Sequence, residues 1–186
     1  MKKPVFSSLS LAVMCTALSL TPANAQVTFT TPSNDEARAP RPAREPGPAL
    51  EPALIAAQTA VETCAAKGHK VSVAVVDSAA LAVVLLSGNG AAAITQSIAM
   101  GKAVSSVRNG KPSAVLAQEA QTNTELAATL AADPQQGPQR PGGIPIMAGP
   151  TVIGAIAVSG APSGGVDAEC AQAGLDKMAH AEHAPA

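Results

Sequence analysis

The chain has almost no aromatic residues. Its 186 residues include no tryptophan, no tyrosine and two phenylalanines, Phe6 and Phe29. Both precede the part that reads as a folded domain, so that domain offers no ring on which a nucleotide base could stack. Charge is equally sparse. Twelve Lys and Arg stand against 13 Asp and Glu, a formal net charge of −1, which leaves no electrostatic footprint for a nucleic-acid partner. Three histidines are present, and His180 and His183 stand close to the C-terminus with Glu182 between them. Zinc asks for three or four ligands, so no metal site is assigned. Nor does the chain contain a Gly-x-Ser-x-Gly elbow, a Cys-x-x-Cys pair, a His-Glu-x-x-His helix or a P-loop. No Ser-His-Asp or Cys-His arrangement can be assembled, and no catalytic residue is assigned.

What the chain does have begins with an export signature. Lys2 and Lys3 form a basic start, Leu9 to Leu20 is an apolar core, and Ala23-Asn24-Ala25 is a small-x-small cleavage site. The apolar run is shorter than the roughly 20 residues a membrane span requires. Residues 1–25 are therefore expected to be removed, leaving an exported periplasmic or extracellular protein with no integral membrane segment. Residues 26–48 carry prolines at 32, 40, 42, 46 and 48 among Ala, Arg and Glu. Such a stretch favours extended, solvated chain. Arg38, Arg41 and Arg44 there are balanced by Asp35, Glu36 and Glu45, which points to a tether rather than a nucleic-acid arm.

Residues 49–180 form one domain, and 181–186 a flexible tail. A core without aromatics must be made of Ala, Val, Ile, Leu and Met, so its stability depends on close backbone approach and regular packing. Assembly into a homo-oligomer would help such a core. After signal removal only Cys64 and Cys170 remain. An even pair in an exported domain suggests a disulfide if the first and last helices are neighbours; the alternative is two separate buried thiols.

Pro52 is a favoured first-turn residue for a helix that ends at Gly68. Lys70 to Val76 alternates valine with small residues, and both faces are apolar or small, as in a central strand. Asp77-Ser78-Ala79-Ala80 should turn the chain into a partner strand, Leu81 to Leu86. A long helix from Ala92 to Arg108 stops at Asn109-Gly110. Two shorter helical pieces follow, with Ser113 and Thr122 as candidate caps. Two short strands punctuated by glycines then run from Gly142 to Ser159, and Asp167 is expected to cap the last helix. The hairpins predict an α+β domain with an antiparallel sheet, in the order α-β-β-α-α-β-β-α.

Five blocks of the sequence resemble the GlcG/HbpS-like family of haem-binding proteins. They are Val73-Ala74-Val75-Val76-Asp77, Ala99-x-x-Lys102-Ala103, Gly142-Gly143-Ile144-Pro145-Ile146, the run from Val152 to Ala161, and Asp167-x-x-Cys170-Ala171. The resemblance implies a profilin-like fold with the first and last helices together on one face of the sheet, which would bring Cys64 and Cys170 within reach. It also implies a homo-oligomer that binds haem or a related tetrapyrrole, with haem degradation known for some members. The chain departs from the family where Ser87-Gly88-Asn89-Gly90-Ala91 replaces an Arg-x-Asp-Gly-Ala pattern, and where Ala80 stands in place of a turn glycine.

Two residues are candidates for cofactor binding. Lys102 could pair with a haem propionate; otherwise it is a surface lysine. His69 could ligate haem iron through a neutral imidazole; otherwise it is an exposed strand-edge residue. Met100 and Met147 are readable as soft axial ligands but suit core filling. The resulting expectation is a binding protein for haem or a similar flat apolar ligand. A structural or interaction module without a ligand and a haem-degrading activity are the alternatives.

Overall fold

A computed structural model describes residues 43–137 and 139–182. The expected export signal, residues 26–42 of the expected tether and residues 183–186 of the expected tail lie outside the described residues. Nine elements follow one another: α1 (Leu50–Ala66), β1 (Ser72–Asp77), β2 (Ala82–Ser87), α2 (Ile94–Asn109), α3 (Ser113–Glu119), α4 (Thr124–Ala132), β3 (Gly143–Ala148), β4 (Thr151–Ser159) and α5 (Gly164–Glu182). The order expected from sequence gains one helix, because the two short pieces after α2 are separate helices. Asn123, not Thr122, caps the second of them by accepting from the Leu126 N–H. Ser113 is no cap either: its hydroxyl accepts from the Gly143 N–H and donates to the Arg140 carbonyl, latching α3 to the start of β3.

The strands form one antiparallel sheet in the order β2-β1-β4-β3. Its centre is β1, buried along its whole length. Valine alternation decides which face each side chain takes. Val73 and Val75 join Ile156 and Val158 of β4 on the face covered by α1 and α5. Ala74 and Val76 join Ala155 and Ala157 on the face covered by α2. This is the profilin-like layout, with the first and last helices together.

The core shows how a domain manages without rings. Helix α1 faces α5 and the sheet with Ala53, Ala56, Ala57 and Ala60, all fully buried. Each methyl buries little surface, so packing depends on close approach. At the crossing of α1 and α5 a Cβ on Gly174 would lie 2.5 Å from the Ala56 carbonyl oxygen; only glycine permits that spacing. The same two helices carry Cys64 and Cys170, joined as a disulfide with Cα atoms 5.7 Å apart.

The last residues before α1 lie on the domain. Arg44 donates through Nε to Asp77 Oδ2 at 2.8 Å and through Nη2 to the Ala82 carbonyl at 2.7 Å. Asp77 Oδ1 accepts from the N–H groups of Ala79 and Leu81. The fully buried Asp77 side chain thus ties the β1–β2 turn to the strap before α1. It also explains how Ala80 holds a positive φ of 64°, where an L-residue is strained by about 1–2 kcal/mol: the bonds on either side over-determine the turn. Arg44→Ala should cost about 1–3 kcal/mol, the scale of a charge-assisted bond to a buried carboxylate. The check is a lowered urea midpoint at unchanged m-value, and a midpoint equal to wild type would refute the clamp.

Candidate functional site

Two sets of polar residues are placed well enough to be tested as a ligand site. The first surrounds Lys102. Its position on α2 points it at the end of β4 and the first turn of α5. Nζ donates to Asp167 Oδ2 at 2.7 Å and to the Val158 carbonyl at 2.9 Å. Asp167 Oδ1 accepts from the Ala161 N–H at 3.0 Å. Only 2% of the Lys102 side chain and 5% of the Asp167 side chain is exposed. Burial holds the Lys102 pKa below its ordinary value of 10.5, opposed by the bond to Asp167 and that residue's charge, and helped by the charge of Arg140. Space is closed as well: a Cβ on Gly142 would stand 2.8 Å from Nζ and 3.0 Å from the Asp167 Cβ.

This geometry corrects two expectations. Lys102 is neither a surface lysine nor a hand for a ligand carboxylate, because its partner is already inside the protein. Asp167 is not the cap of the last helix. That helix begins at Gly164, four residues before the start that an Asp167 cap implies, and Val166 donates to the hydroxyl of Ser163. The glycines at 164 and 165 obscure the start because glycine is a poor helix former. Gly164 nevertheless suits its place, where a Cβ would lie 2.8 Å from Pro141 Cδ.

The second set surrounds His69. Helix α1 ends in a Schellman motif. Gly68 takes φ 80°, its N–H bonds the Ala65 carbonyl, and the His69 N–H bonds the Cys64 carbonyl at 3.0 Å. The motif fixes where His69 leaves the helix. On the other side, pairing of Ser72 with Ser87 carries the hairpin register back to the loop after β2. Gly88 N–H bonds the Val71 carbonyl at 2.9 Å, so residues 69–71 face residues 88–90. Between them lies an open cleft of about 370 Å³, within the range of small-molecule sites. Val61 and Ala65 give it apolar wall, while His69, Lys70 and Asn89 bring polar groups; the Val71 side chain is buried in the core behind it. The imidazole is half-buried and has no side-chain partner among the described residues.

Of the two predicted cofactor-binding residues, only His69 therefore lies in a cleft, and Lys102 lies elsewhere in the molecule. Lys70 was not picked out from sequence, and Asn89 only as a departure from the family pattern. The signal for them was the hairpin itself, which places the start of one strand opposite the end of the other. Met100 is half-buried against the α2 face of the sheet, and Met147 is an exposed residue of β3.

The family pattern described as "Haem degrading protein HbpS-like" matches residues 49–176. The chain belongs to the HbpS-like family. Its domain resembles the crystal structure of a double mutant of Streptomyces reticuli HbpS at 35% identity, over 75% of this chain and 92% of that one, with a TM-score of 0.66. The Klebsiella pneumoniae protein ORFY matches at 21% identity over 75% of this chain and 95% of its own, with a TM-score of 0.66. A PduOC structure described as a complex with haem matches at 20% identity over 70% and 94%, with a TM-score of 0.65. The last two show the shared fold. Among curated proteins none matches the chain. No helix among the described residues is long and apolar enough to cross a membrane.

Proposed function

We propose that this HbpS-like protein is an exported haem-binding protein, acting as a homo-oligomer, and that it holds haem at the cleft beside His69. The observation that carries the reading is the unpartnered imidazole, fixed by a helix-end motif at the mouth of an apolar-walled cleft. With no side-chain partner among the described residues, the imidazole is open to a ligand, and imidazole is a common haem-iron ligand. Family membership supports the haem class. Export is supported by the basic and apolar N-terminus and by the disulfide, since such bonds persist in oxidising compartments. A core of small residues, with Leu50, Leu81 and Ile94 more than half exposed, supports assembly with further copies.

Titration with hemin tests the reading. Wild-type protein should give a saturable Soret shift. His69→Ala should lose the spectrum of a nitrogen-ligated iron and bind hemin more weakly, because the variant has no axial nitrogen to offer at this position. A flat wild-type titration would overturn haem binding. An unchanged spectrum in His69→Ala would overturn the cleft. Loss of the Soret band with release of a degradation product, on adding ascorbate or peroxide, would replace binding by haem degradation.

A further inference from the structure

We infer that Lys70 and Asn89 grip a carboxylate of the bound ligand, so that the cleft selects tetrapyrroles with a free acid edge over esterified ones. The inference rests on the haem-binding reading and names what that site recognises. Lys70 and Asn89 come from opposite sides of the cleft, one from the entry to β1 and one from the loop after β2. Neither side chain has a hydrogen-bond or ion-pair partner among the described residues. The Lys70 ammonium and the amide N–H groups of Asn89 can both donate to an anion, and the cleft lining holds no carboxylate among the described residues.

The lysine is also held in place. A Cβ at residue 90 would lie 3.1 Å from Lys70 Cδ and 3.3 Å from Nζ, and Gly90 has φ 76°. The lysine stem therefore lies along the loop backbone at a residue without a side chain, with its charged head beside the turn. The loop that carries Asn89 is equally fixed. A Cβ on Gly88 would lie 3.2 Å from both Val61 Cγ1 and the Val71 carbonyl oxygen, so the loop is packed onto the apolar wall of the same cleft. Next to that wall a carboxylate meets a less watery surrounding, in which a charge-assisted bond gains strength. A porphyrin with free propionates supplies both parts of the complement: a flat apolar body for Val61 and Ala65, and an anionic edge for Lys70 and Asn89.

The probes are metal-free protoporphyrin IX and its dimethyl ester in the same detergent, titrated by fluorescence. Iron protoporphyrin IX is followed in parallel by its Soret band. Wild-type protein should bind the free acid on the order of tenfold tighter than the ester. Lys70→Ala should bring the two affinities together by weakening the acid alone, Lys70→Arg should restore the preference, and Asn89→Ala should reduce it. His69→Ala should alter the iron spectrum and leave the acid-to-ester ratio intact. Equal binding of acid and ester by wild type, or equal weakening of both by Lys70→Ala, overturns the carboxylate grip while haem binding stands. No binding of any porphyrin overturns both.

Discussion

Lys102→Met should destabilise the protein by about 3–5 kcal/mol, and adding Asp167→Asn should recover a large part of that loss. Removing one member of a buried ion pair leaves the other charged and without its partner, which costs far more than the pair was worth. In Lys102→Met the Asp167 carboxylate, 5% exposed, would keep only the Ala161 N–H. In the double variant the amide oxygen of residue 167 can still accept from Ala161, and no buried charge remains. Equilibrium unfolding of wild type, both single variants and the double variant gives the coupling energy directly. Strictly additive losses would refute the pair as a coupled unit. Hemin affinity should not change beyond what lost stability explains, because these residues stand apart from the cleft at His69.

The same pair sets a pH dependence whose sign is fixed. The folded-state pKa of Lys102 is lowered from 10.5, chiefly by burial. Below 10.5 there is thus a range in which the unfolded chain binds this proton more fully than the folded one. Stability rises with pH wherever the unfolded state holds more protons. The contribution from Lys102 should accordingly grow as pH climbs toward 10.5. Asp167→Asn removes the influences that hold the pKa up, so its stability should climb more steeply and from a lower pH. Lys102→Met should show none of this slope.

Much of the framework was legible because single residues carried it. The valines at 71, 73 and 75 could only alternate on a strand with two covered faces, and β1 is central. Gly68 and Gly110 mark helix ends as expected, both with positive φ. Cys64 and Cys170, the pair expected to bond, are joined to each other. Lys102 and Asp167 were misread for one reason. Each was judged against its sequence neighbours, whereas their meaning is the contact between them, across 65 positions. No local pattern announces such a pair. Asp77 was seen only as a turn residue, for its partner Arg44 sits in a proline-rich stretch that reads as solvated chain. Lys70 escaped notice, and Asn89 stood out only as a departure from the family pattern, for the opposite reason: exposed polar residues at strand ends are ordinary until the hairpin register puts them on one cleft.

The Cys64–Cys170 bond should be the largest single contribution to stability. It closes a loop with a sequence separation of 106, for which the chain-entropy account gives about 4–5 kcal/mol. The core has little with which to replace it. The four buried alanines of α1 that face α5 and the sheet offer small contact areas, and the glycine at the crossing offers none. Cys64→Ala/Cys170→Ala should therefore lower the urea midpoint sharply at similar m-value, and added reductant should do the same to wild type while leaving the double variant unmoved. A wild-type midpoint indifferent to reductant would refute the assignment of stability to this bond. The carbonyl of Cys64 also receives the His69 N–H that closes α1. Loosening the bond frees the last turn of α1 first, and that turn is what presents the imidazole. Hydrogen exchange should show this order, with the amide of His69 losing protection in the reduced protein before those of β1 and β4, whose ladder bonds are buried between the helix layers.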